Sequence, residues 1–123
     1  MLYVMHYSVI PMISSDINRI DFMQQNNKEL FFKETLGTLL NELRLSNTNL
    51  SSHKFANAYD LNDSNLGKIE RAIIDCKFIT LWKILEGLNI DPVEFVSLFI
   101  EKLGKNFKLI LKMIIVGIYR QVA

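Results

Sequence analysis

The sequence of 123 residues predicts an all-α fold of five helices followed by a C-terminal amphipathic helical extension. Three observations carry that expectation. Between Leu50 and Arg71 the apolar residues Leu50, Phe55, Ala56, Tyr59, Leu61, Leu66 and Ile69 draw two short amphipathic helices with a tight break at Asp60 to Asn62. Upstream, Phe32, Leu36, Leu39, Leu40 and Leu43 recur at intervals of four, three, one and three, a single stripe on a helix over about Glu29 to Leu45. Downstream, Asp91-Pro92-Val93-Glu94 is a helix start: an Asp N-cap, proline at the first helical position and glutamate three residues after the cap.

Half of the residues are hydrophobic, enough for one compact bundle. The single cysteine, Cys76, excludes an internal disulfide, and without clustered histidines it argues against a structural zinc site. A reducing, cytoplasmic setting fits. Met1 to Pro11 lacks the basic region that precedes the apolar core of a signal peptide. Near the end, the longest unbroken apolar run, Met113 to Tyr119, falls far short of the ~20 residues a spanning helix needs, so no membrane span is expected. No Gly-rich phosphate loop, metal cluster or catalytic triad is legible, and neither an enzyme nor a cofactor is expected.

Residues 1–28 show no clean helical period. Their first ten residues are apolar and partly β-branched, which allows a short strand, and Gln24 to Asn27 reads as a polar spacer. This segment is expected as an N-terminal arm without a functional role, ahead of a core domain over residues 29–103. Within the core, Ser51 caps the second helix, small Ala56 sits where the third helix must cross closely, and Leu61 after the break pins the two together. Asn62 caps the third helix, which buries Leu66 and Ile69; Gly67 in its middle costs ~1 kcal/mol relative to alanine. The fourth helix, about Phe78 to Leu88, turns Leu81, Ile84, Leu85 and Leu88 inward with Trp82 beside them. The fifth buries Phe95, Leu98, Phe99 and Leu103 and ends at Gly104.

As one helix, Lys105 to Val122 would gather Lys105, Lys108, Lys112 and Arg120 within a sector of about 120°. Phe107, Ile110, Leu111, Ile114, Ile115 and Ile118 would lie opposite. So wide an apolar face must be covered, by the core or a second subunit in preference to a membrane surface. Residues 104–123 are therefore expected as a dimerisation element.

Leu50 to Arg71 is a helix-turn-helix pattern, and it resembles the Xre/Cro-like repressor family without a gap, including the Ile69-Glu70 pair that closes the second helix of the motif. The resemblance spans roughly Leu36 to Phe99. It implies a transcriptional regulator that binds double-stranded DNA sequence-specifically, as a homodimer. It also implies a pairing of Arg44, near the end of the first helix, with Glu70. Ser52 stands where the family often has a phosphate-contacting glutamine. Asp63, Ser64 and Lys68 take the positions that enter the major groove, Asn62 and Asn65 flank them, and Arg71 adds a cation with Lys54 on the same side. Chemically, Lys68 can donate to guanine O6 and N7, Asn65 can bridge adenine N6 and N7, and Asp63 can accept from cytosine N4 while repelling phosphate. His53 has no nucleophile or carboxylate placed beside it by the motif and reads as a surface histidine. Two departures from the family stand out. The connection Leu45 to Asn49 is one residue longer than is common, and Ala72 occupies the place of a left-handed glycine, so that either the third helix runs on or the turn differs.

The formal net charge of +1 divides unevenly: −1 over residues 1–35, −2 over 36–103 and +4 over 104–123. Phosphate neutralisation by Lys and Arg supplies most non-specific DNA affinity, so a slightly acidic core favours a second reading, an antitoxin-like or protein-interaction module that keeps the fold without binding DNA. The intact caps and the polar face of the third helix favour the regulator.

Overall fold

Among the described residues of the computed structural model five helices follow one another: α1 Ser14–Asn47, α2 Ser52–Ala58, α3 Asp63–Glu70, α4 Phe78–Leu88 and α5 Pro92–Leu103. The structure describes residues 14–110, with side chains from Asn26 onward. Among the described residues there is no strand; the short strand considered for the first ten residues lies outside them.

The caps are those expected. Lys54 N donates to Ser51 Oγ at 3.2 Å, Asn65 N to Asn62 Oδ1 at 3.1 Å and Val93 N to Asp91 Oδ1 at 2.7 Å. Between α2 and α3 the chain turns through Asp60 at φ 57°, and Leu61 N closes the turn on Ala56 O at 2.9 Å. Short polar Asp tolerates this left-handed conformation, as do Asn49 and Asn89 at the ends of α1 and α4.

Two stretches differ from the sequence-based expectation. The polar stretch Gln24 to Asn27 is no spacer: α1 passes through it, because residues 14–36 contain neither glycine nor proline and are rich in good helix formers such as Gln25, Lys28 and Glu29. At the other end, residues 105–110 form turns and coil where one helix from Lys105 was expected. Gly104, at φ 100° and ψ 140°, turns the chain out of the helical path. The rest of that amphipathic segment lies outside the described residues.

Contacts divide the chain into two units, one of Leu30–Asn106 and one of Met1–Glu29 with Phe107–Ala123. In the latter, Lys28 Nζ donates to Lys108 O at 2.8 Å and sits 5.2 Å from the centre of the Phe107 ring. The former holds the core, where Leu40, Phe55, Ala56, Leu66, Ile84, Leu88 and Phe95 are fully enclosed. Two glycines set how closely its helices meet. A Cβ at Gly37 would lie 2.4 Å from Glu70 O, so only glycine lets α1 reach the last carbonyls of α3. A Cβ at Gly87 would lie 2.7 Å from Phe55 Cζ, which fixes the approach of α4 to α2.

The end of α3 resolves the choice left by Ala72. The helix stops, and Ile73 N bonds to Lys68 O at 2.8 Å while Ala72 N bonds to Ile69 O at 3.1 Å, a Schellman closure with alanine at φ 61°. A Cβ in that conformation is strained by about 1–2 kcal/mol. Ala72→Gly is therefore expected to raise stability by about 0.5–1 kcal/mol after the entropy of glycine is counted, seen as a higher urea midpoint at unchanged slope. A lower midpoint would mean that packing of the half-buried Ala72 methyl outweighs the strain.

Candidate nucleic-acid interface

The geometry of the helix-turn-helix rests on a buried ion pair. Arg44 Nε lies 2.8 Å from Glu70 Oε2 and its Nη2 lies 2.9 Å from Oε1, with the two side chains 8% and 6% exposed. Its Nη1 donates to Leu50 O just ahead of α2, and Asn41 Nδ2 adds a bond to Glu70 Oε1 at 3.0 Å. The longer connection after Leu45 does not disturb this pairing. Thr48 N donates to Arg44 O at 3.1 Å and Thr48 Oγ1 accepts from Leu50 N at 3.1 Å, which folds the extra residue into a tight turn. Among the described residues no buried side-chain nitrogen or oxygen lacks a partner.

With Leu66 and Ile69 buried, α3 turns its opposite side to solvent. Ser64, Lys68 and Arg71 fall on that side within about 60° of one another, and all three are exposed. Ser52, Asp63, Ser64 and Arg71 line one open cleft of about 500 Å³ together with Thr38, Asn41, Gly67 and Glu70. Asn62 and Asn65 line a second hollow of about 200 Å³ beside Asp60, Lys77 and Lys83, and Lys68 lines neither. Asn62 Oδ1 is already occupied, accepting from Asn65 N and from Ser64 Oγ at 2.7 Å. Arg71 Nε folds back onto Gly67 O at 3.1 Å. A Cβ at Gly67 would meet only Arg71 Nη2, at 3.7 Å, so glycine is not required there by packing within the chain.

His53 is exposed, as its reading in the sequence has it, but a carboxylate does stand beside it. The crossing of α2 and α3 sets a carboxylate against it: Nδ1 meets Asp63 Oδ2, and Asn57 Nδ2 lies 3.2 Å from Nε2. The signal in the sequence was only a histidine ten residues ahead of an aspartate across a turn. Thr38 and Asn41 of α1 also join the cleft without a mark in the pattern.

The charges of the motif are distributed asymmetrically. Each of its acids is engaged, Asp60 by Lys83 Nζ at 3.4 Å, Asp63 by His53 and Glu70 by Arg44. Lys54, Lys68 and Arg71 are exposed, and no carboxylate pairs with them among the described residues. The core is acidic in sum, but the three acids of the motif each have a partner, while Lys54, Lys68 and Arg71 have no carboxylate beside them.

Among the described residues no helix is long and apolar enough to cross a membrane, and no group of three His, Cys, Asp or Glu side chains could hold a metal ion. Burial pushes the Cys76 thiol up to about 11, which keeps it protonated and unreactive near neutral pH.

The fold is similar to that in the crystal structure of a point mutant of the restriction-modification controller protein C.Esp1396I. The TM-score is 0.55 at 20% sequence identity, over 59% of this chain and 96% of that one. The likeness is one of fold, and it is the helix-turn-helix fold that the sequence resemblance implies. No protein-family model and no curated protein matches the chain.

Replacing Arg44 by alanine strands the Glu70 carboxylate in the core and leaves Leu50 O without its donor. Arg44→Ala is expected to destabilise the domain by about 3–5 kcal/mol, measured by denaturant unfolding. A loss below about 1 kcal/mol would mean that the site opens to water and the pair does not hold the helices.

Proposed function

We propose that the chain is a transcriptional regulator that binds double-stranded DNA sequence-specifically, with α3 in the major groove and Ser64, Lys68 and Arg71 as its outermost contacts. The observation that carries this reading is the set of uncommitted cations on α2 and α3 beside acids that are all engaged. Exposed Lys54, Lys68 and Arg71, none of them paired with a carboxylate among the described residues, can neutralise phosphates and displace counterions, which is the main source of DNA affinity. Asp63 and Asn65 stand at the sides of the same helix as further base-edge contacts, Asn62 serves as its cap, and Ser52 at the start of α2 offers a hydroxyl to phosphate. The fold of the controller protein supports the same reading.

Selection of bound sequences from a random DNA pool tests it. A regulator enriches a defined motif, whereas an interaction module without DNA binding enriches nothing. Lys68→Ala is expected to weaken binding to the selected site by about 1–3 kcal/mol and to relax preference at one base pair. An equal loss on every sequence would assign Lys68 to phosphate instead.

The regulator is proposed to act as a homodimer. Along α5, Val93, Val96 and Ile100 face water at spacings of three and four, an apolar stripe that a two-fold partner would cover. Residues 104–123, most of which lie outside the described residues, are proposed from their sequence pattern to take part in the pairing. Pairing must set two recognition helices about 34 Å apart to meet successive major grooves. Truncation after Leu103 is expected to yield a monomer in sedimentation that still recognises a half-site and binds the full site much more weakly. A truncated chain that stays dimeric would assign pairing to the α5 stripe alone.

A further inference from the structure

His53 stands on the solvent side of α2, one turn ahead of Asn57, and reaches across the turn to the first residue of α3. Its Nδ1 meets Asp63 Oδ2, and Asn57 Nδ2 lies 3.2 Å from Nε2. An amide that donates to Nε2 leaves that nitrogen without a proton, so the neutral ring carries its hydrogen on Nδ1 and donates it to the carboxylate. With its amide turned over, Asn57 offers Oδ1 to an Nε2–H, so the same three side chains also hold the imidazolium. Either way Nδ1 is the donor and Asp63 Oδ2 the acceptor.

For Asp63 this contact decides where the carboxylate rests. A carboxylate at the first position of a helix is drawn towards the free amides and the positive end of its own first turn. Here Oδ2 is instead held across the turn by His53, and Oδ1 takes no other hydrogen bond among the described residues. Asp63 also lines the cleft shared with Ser52, Ser64 and Arg71.

We propose that His53 is a positioning residue for base recognition. By holding Oδ2 it keeps Oδ1 available to accept from an amino group on a base edge, and cytosine N4 is the donor of that kind that a carboxylate reads in the major groove. Specificity in the first turn of α3 is then a property of the pair His53–Asp63, with Asn57 setting the ring. The inference rests on the DNA-binding reading of α3.

The test is selection from a random DNA pool with the full chain and four variants. Asp63→Ala identifies the base position at which Asp63 acts. His53→Asn puts an amide nitrogen close to where Nδ1 lies, whereas His53→Gln puts it one bond further out, near Nε2, and His53→Ala has no donor. The expected result is that wild type and His53→Asn prefer the same base at that position, while His53→Ala and His53→Gln lose the preference by about tenfold and keep theirs elsewhere. Three results overturn the inference alone: His53→Ala keeps the preference, it loses preference evenly at every position, or His53→Asn fails as His53→Gln does. A wild-type chain that enriches no motif overturns the DNA-binding reading itself, and this inference falls with it.

Discussion

Arg44 and Glu70 sit in a region that excludes water, and two charges in such a place are tolerated only if each is matched by the other and by further hydrogen bonds. Both conditions hold. The guanidinium bonds to both oxygens of the carboxylate and to Leu50 O, and Asn41 takes a further bond of Glu70. Such a pair contributes little net stability compared with well-packed apolar residues. Its consequence is geometric, because the fork of the guanidinium fits a carboxylate in few orientations. Arg44 belongs to α1, Leu50 precedes α2 and Glu70 ends α3, so one side chain sets three helices. Gly37 completes the arrangement by letting the α1 backbone come against Ile69 O and Glu70 O, where any side chain would collide.

What the pair holds in place is a face with an unusual balance of charge. A core that is acidic in sum would repel a polyanion if its carboxylates pointed outward unpaired. Here Glu70 is buried with Arg44, Asp60 lies against Lys83 and Asp63 lies against His53. The exposed pairs have little effect on stability. Their effect is on the field, since each carboxylate of the motif stands beside a donor while Lys54, Lys68 and Arg71 have no carboxylate partner. Net charge was the strongest argument against DNA binding, and at the motif it loses force because Asp60, Asp63 and Glu70 each have a partner.

The end of α3 shows a local rule overridden by its surroundings. Alanine disfavours the left-handed conformation, yet Ala72 adopts it because the backbone of Lys68 and Ile69 accepts two closing hydrogen bonds and the following Ile74 must return to the core. A glycine would make the turn without strain, and its absence conceals the helix end from a reading of the residues.

Most of the fold was legible because it is written in short-range terms. A side-chain oxygen at Ser51, Asn62 or Asp91 caps the helix that begins at the next residue, and apolar residues three and four apart mark which side of a helix is buried, whatever the helix later packs on. Even the reach of α1 through Gln24 to Asn27 follows from local propensity, where a polar cluster drew attention away from the lack of any helix breaker. Arg44 with Glu70 was legible only through the resemblance to a family, since nothing in the spacing of 26 residues brings them together. His53 with Asp63, Thr38 in the cleft and the approach at Gly37 were not legible at all. The sequence by itself determined the helices, their caps and their buried sides. The tertiary structure decided which side chains from different helices meet, because crossing angle and separation depend on the packing of the whole core and carry no period along the chain.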